Sequence, residues 1–177
     1  MSDHPPFEHV YDLSDLSAGG AEISIVLNEA QRAKLAQWLE VERVEKFAAT
    51  VCLRKLSSNR YRYEAELVCD LDQASVVSLE PVRAHIAESF SRELHVAHHL
   101  RRHLDKSEEV SLASAEDEAP EEIETSKYDL AGPLLEELSL ALDPYPRAPD
   151  EVFAPPPAPT ESEESPFAVL KKLKDRG

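Results

Sequence analysis

The 177-residue sequence predicts an α+β fold: a mainly antiparallel sheet that could curl towards a barrel, covered by one helix, with a second helix docked from the C-terminal side. Long runs such as YRYEAELVCDL (61–71) alternate apolar and polar residues, the signature of half-buried strands. NEAQRAKLAQWLEV (28–41) follows such a run and opens on a helix-capping pattern. DLAGPLLEELSLALDPYP (129–146) carries leucines at helical spacing and stops at prolines.

Taken in order, Phe7, Val10, Tyr11 and Leu13 suit an edge strand before the Gly19-Gly20 turn. AEISIVLN sets Ile23, Ile25 and Leu27 against Glu22, Ser24 and Val26, a period of two. Asn28 stands at a helix N-cap with Gln31 three residues on, a capping box. The helix over 29–41 then places Leu35, Trp38 and Leu39 on one face, with Arg32, Lys34 and Gln37 towards water. Trp38 reads as a core anchor rather than a stacking platform, because it lies within the apolar stripe. Phe47, Ala49, Val51 and Leu53 share a strand face, as do Tyr61, Tyr63, Ala65, Leu67, Cys69 and Leu71, and Ser57-Ser58-Asn59 between them reads as a hairpin turn.

ASVVSL (74–79) is expected to be a further short strand that Pro81 ends. VRAHIAESFSRELHV (82–96) fits both helical and strand periods, and its regular alternation after Pro81 favours strand. Residues 105–127 are acidic and poor in bulky apolar groups, which predicts a flexible loop. A helix over Asp129–Leu142 should put Leu134, Leu135, Leu138 and Leu142 on one side and Glu136 and Glu137 outside. Beyond it, APPPAP lies in an extended tether, and SPFAVLKKLKD forms a small amphipathic tail with Phe167, Val169 or Leu170, and Leu173 on one face. The organisation is therefore a core domain over 1–104, an acidic loop over 105–127, a docking helix over 128–146 and a tether with tail over 147–177.

Charge narrows the function. The net charge of −16 repels phosphate, so bulk nucleic-acid binding and anionic membranes are disfavoured. Basic proteins are the partners such a surface attracts, although the same charge would also serve solubility alone. Cys52 and Cys69 fall in strand-like runs, where two buried thiols in a reducing cytosol are a simpler account than a disulfide. The N-terminus lacks a basic n-region and an apolar h-region, and no apolar run is long enough for a membrane helix. A soluble, cytoplasmic protein is expected.

Catalytic motifs are missing: there is no GxGxxG, no P-loop lysine and no GxSxG. Neither a catalytic residue nor a metal or cofactor is expected. In HVAHHLRRH, His95, His99 and His103 recur every four residues, which on a helix would stack three imidazoles as metal ligation can use. No cysteine or spaced acidic ligand completes a tetrahedral set, so the favoured reading is the polar, exposed end of a strand. Lys171, Lys172, Lys174 and Arg176 form the other concentrated basic element. They could touch RNA or an acidic surface, or simply complement a helix C-terminus.

Three segments resemble the large ribosomal RNA subunit accumulation protein family (YceD). ASVVSLEPV (74–82) looks like its central C-x-x-C-L-x-P box, with Ser75 and Ser78 at the cysteine positions. YDLAGPLLEELSLALDPYPRAP is similar to its leucine-rich helix ending in prolines, and SPFAVLKKLKD to its C-terminal signature. The serines remove any zinc or redox role for the box, which should instead be a packed strand and turn with Leu79 inward. The resemblance implies a non-enzymatic role in accumulation of large-subunit ribosomal RNA and a genetic association with a small basic ribosomal protein of that subunit. The expected partner is a basic ribosomal protein or a large-subunit assembly intermediate. Phe167, Leu170, Lys171, Lys172 and Lys174 are the expected docking tail, with Leu134, Leu138 and Leu142 as structural support or a contact face. The alternatives are a metal protein or enzyme using His95, His99 and His103, and a direct RNA-binding module.

Overall fold

The computed structural model describes residues 4–97 and 120–152. Within them lie strands β1 (Val10–Asp12), β2 (Ala21–Val26), β3 (Arg43–Lys55), β4 (Arg60–Ala74), β5 (Pro81–Val96), β6 (Glu121–Ile123) and β7 (Lys127–Asp129), with helices α1 (Glu29–Leu39) and α2 (Ala131–Ala141). The expected α+β class is the observed one. β2-β3-β4-β5-β6 form one sheet, antiparallel except for the parallel β5–β6 pair, and β1 pairs with β7 in a separate ribbon. The five-stranded sheet is not closed into a barrel: β2 and β6 are its two edges.

Alternation sets which face is covered. Phe47, Ala49, Val51 and Leu53 of β3 and every second residue of β4 from Tyr61 to Leu71 are buried. They join one core with Leu35 and Ala36 of α1, Leu134, Leu135 and Leu138 of α2, and Leu13 and Tyr128 of the ribbon region. Phe7 meets Phe47 edge-on with ring centroids 5.6 Å apart. Tyr63, fully buried, donates its hydroxyl to the Leu130 carbonyl at 3.0 Å, which satisfies the one polar atom it takes into the core. Trp38 is half-buried against this core, as its place in the apolar stripe predicts.

The helix ends follow local chemistry. At α1, Gln31 N donates to Asn28 Oδ1 and Asn28 N donates back to Gln31 Oε1, at 3.0 and 3.1 Å, the capping box read from the sequence. At α2 the N-cap position is Leu130, which offers no capping side chain; the Asp129 carboxylate just before it accepts from Ala131 N at 3.0 Å and from His9 N at 2.8 Å, so it satisfies the first helical N–H and ties the N-terminal segment to the helix. Before β2, Gly20 has φ +85°, and a Cβ there would lie 2.6 Å from the Leu53 carbonyl, so the turn requires glycine.

Three expectations are corrected. Residues 74–79 are not a strand: β4 runs on to Ala74, a turn follows, and Pro81 opens β5 instead of ending a strand. The fully buried Ser75 hydroxyl causes the turn by accepting from Val77 N at 3.1 Å and Ser78 N at 3.3 Å. Leu79 points outward, 76% exposed, with φ 65°. Finally, β6 and the start of β7 lie within 105–127, where composition predicts only loop. β6 is held by parallel backbone pairing of Glu121–Ile123 with Leu94–Val96, which side-chain polarity does not reveal. The ambiguous 82–96 segment is strand throughout, paired with β4 from Pro81 opposite Ala74 to His95 opposite Arg60.

Candidate functional site

Both helices and the β1–β7 ribbon share the core side of the sheet, and among the described residues no element covers the other side. The pairing registers define what this open face carries. One row across β2, β3, β4 and β5 reads Glu22, Cys52, Glu64, Ser91. The next reads Ser24, Thr50, Glu66, Ser89, and the third Val26, Ala48, Val68, Ala87. Rows in an antiparallel sheet lie roughly 7 Å apart and strands about 4.8 Å apart, so these rows occupy a patch of about 14 by 14 Å. Small side chains at its centre leave a shallow depression of about 540 Å³, lined by Glu22, Thr50, Cys52, Glu64, Glu66 and Ser89 among others.

Its electrostatics are one-sided. Among the described residues Glu22 and Glu66 have no ion-pair partner, and Glu64 has only Arg54, at 3.8 Å. Other cations near the patch bind carboxylates outside it. Arg60 and Arg62 both bind Glu93, and their hydrogen bonds hold its carboxyl below the usual range. His85 Nδ1 lies 2.6 Å from Asp70 Oδ1, and that hydrogen bond, with the nearby Lys46 and Arg83 charges, lowers the Asp70 carboxyl. The depression therefore combines two carboxylates with no ion-pair partner among the described residues, a third held only at 3.8 Å by Arg54, hydroxyls and an adjoining apolar row. Among the described residues it holds no nucleophile hydrogen-bonded to a base. Cys52 is half-buried within it, whereas Cys69 faces the core, where burial first and the Asp70 charge second push its thiol up to about 12.

A second feature lies at the far end of β4. The β4–β5 turn is clamped to the segment after α2: Val76 N donates to the Pro146 carbonyl at 2.9 Å, and Gln73 Nε2 to the Asp143 carbonyl at 3.0 Å. Ser75 Oγ bonds Glu151 Oε2, which also accepts from Ala148 N at 3.1 Å. Hydrogen bonds from Ser75, then Ser78, hold the Glu151 carboxyl below its usual range. The serines at 75 and 78 thus fasten the C-terminal segment, and the clamp leaves Val76, Leu79, Tyr145 and Val152 exposed.

The sequence-derived candidates fall as follows. Phe167, Leu170, Lys171, Lys172 and Lys174 lie outside the described residues, as do His99 and His103. His95 is on β5, not on a helix, with Nε2 2.7 Å from Asn59 Nδ2 in the β3–β4 turn. Among the described residues no group of three or more His, Cys, Asp or Glu side chains could hold a metal ion. Leu134 and Leu138 are fully buried and Leu142 partly buried, so they support the core and do not form a contact face. Glu22, Thr50, Glu64, Glu66, Ser89 and Ser91 are not among the sequence-derived candidates, and Cys52, expected as a buried thiol, is only half-buried. The signal that finds them is the outward half of each alternation, aligned once the strand registers are known. No helix of the described residues is long and apolar enough to cross a membrane. Comparison with protein-family models, with curated proteins and with solved structures returns no match for the chain.

Proposed function

We propose that the protein is a non-enzymatic, cytoplasmic ribosome-biogenesis factor that promotes large-subunit ribosomal RNA accumulation by binding a basic ribosomal protein or an assembly intermediate. The observation that carries the binding part is the open face, where Glu22, Glu64 and Glu66 surround small residues on a chain of net charge −16. Two of these carboxylates, Glu22 and Glu66, lack an ion-pair partner among the described residues and Glu64 has only the long contact to Arg54, so this accessible, low-relief surface attracts a lysine- or arginine-rich segment and repels phosphate. The ribosomal assignment rests on the resemblance of residues 74–82, 128–149 and 165–175 to the YceD family. The tail residues Phe167, Leu170, Lys171, Lys172 and Lys174 supply a second, oppositely charged contact, suited to an acidic patch or to RNA exposed on an assembly intermediate.

The test is capture from lysate with the full chain, with Glu22, Glu64 and Glu66 changed to Gln, and with Lys171, Lys172 and Lys174 changed to Glu. The wild-type chain should recover basic large-subunit proteins in a salt-sensitive manner, and the glutamine variant should lose them. Equal recovery by the wild-type and glutamine chains would sink the reading.

A further inference from the structure

We infer that the open sheet face is the seat of the chain's own C-terminal segment, residues 165–177, in the free protein, so that a basic partner must displace it. The face joins an acidic half, Glu22, Glu64 and Glu66, to an apolar half, Val26, Ala48, Val68 and Ala87. Residues 166–175, PFAVLKKLKD, offer the complementary pair in one short segment: Phe167, Leu170 and Leu173 at helical spacing, beside Lys171, Lys172 and Lys174. As a helix these ten residues would be about 15 Å long and about 10 Å wide, close to the patch of about 14 by 14 Å. Apolar side chains would cover the valine and alanine row, and the ammonium groups would reach the carboxylates.

Chain length and the point of departure agree with this seat. Glu151 is fastened to Ser75, just beyond the end of β4, so residue 152 leaves from that end of the sheet. From Ser75 back to Glu66 along the strand is roughly 30 Å at the usual rise per residue. Residues 153–164 span up to about 37 Å in a proline-type extended conformation, enough to deliver Ser165 to the patch and not much more. A tether of this length holds the tail at an effective concentration in the millimolar range, so a weak intrinsic contact suffices for occupancy. A second copy of the face is a poor occupant, because it would set the same carboxylates against each other.

The regulatory consequence rests on the proposed partner binding, whereas the seat itself does not. It makes the free chain self-neutralising at this patch and sets a threshold of partner affinity for release.

Cys52, half-buried in the depression, reports occupancy in the unmodified chain. Its alkylation rate by a neutral reagent such as N-ethylmaleimide should rise on the order of tenfold in the Lys171→Glu, Lys172→Glu, Lys174→Glu chain and in the Phe167→Ala, Leu170→Ala chain, and should rise in wild type with salt. Zero-length carbodiimide coupling of the full chain, read by peptide mass, should join Glu22, Glu64 or Glu66 to Lys171, Lys172 or Lys174 within one molecule. Unchanged Cys52 rates in both variants, or coupling only between molecules, would overturn the seat. Protection and coupling present, with no basic protein captured from lysate, would leave the seat standing and remove the partner reading.

Discussion

The two faces of the sheet are built from the same strands and serve opposite ends. On the covered face Tyr63, Phe47, Leu67 and Leu94 are buried against α1, α2 and the N-terminal segment. On the open face the neighbouring positions are Glu64, Ala48, Glu66 and Glu93. Burial of large apolar groups stabilises the fold by roughly 25 cal/mol per Å², so the covered face holds the fold together. The open face buries little and, at Glu22 and Glu66, keeps charge with no ion-pair partner among the described residues, which adds little to stability and suits recognition. A sheet that needed only solubility would spread and pair its charges, as Arg60, Arg62 and Glu93 do at the rim.

That contrast is broken most strongly from the covered side. Leu138→Ala or Leu134→Ala, both at fully buried positions, should cost about 2–5 kcal/mol by lost transfer energy and a residual cavity. Urea unfolding followed by Trp38 fluorescence measures this. Ser75→Ala should cost about 1–2 kcal/mol, because the turn loses its cap and Glu151 its anchor. Proteolysis should then cut earlier after Asp143.

Acid sharpens the comparison. The Glu151, Asp70 and Glu93 carboxyls sit below their usual range in the folded chain through hydrogen bonds to Ser75, His85 and Arg62 respectively. A depressed folded value means that the unfolded chain binds the proton first, so the stabilisation is complete above the ordinary carboxylate range near pH 4–4.5 and is lost as pH falls through the lowered values. The urea midpoint should therefore fall below about pH 4. Glu151→Gln should flatten part of that dependence. Leu79→Asn should stabilise by roughly 0.5–1 kcal/mol, since asparagine tolerates the left-handed conformation and removes an exposed apolar group. Smallest of all, Glu66→Gln on the open face should move stability by no more than about 0.5 kcal/mol.

The covered face was legible in the sequence because burial imposes alternation: the inward residues of β3 and β4 and the Asn28–Gln31 box stand where pattern places them. The turn at 75–80 was not, since Ser75 and the left-handed Leu79 override an apolar run that looks like strand. β6 was hidden because its pairing is carried by backbone, with glutamates at its first two positions. The candidate site was hidden for a different reason. Glu22, Glu64 and Glu66 are ordinary outward residues in one dimension, and only the registers across β2, β3 and β4 gather them into one patch.

Binding of a basic protein by the open face is what we propose. Its most direct test is a calorimetric titration of the full chain with a purified basic large-subunit ribosomal protein recovered in the lysate capture, at two salt concentrations. Binding should weaken with salt and drop by on the order of tenfold or more when Glu22, Glu64 and Glu66 are changed to Gln, with the urea midpoint unchanged. Equal affinity of the two folded chains for that protein would contradict it.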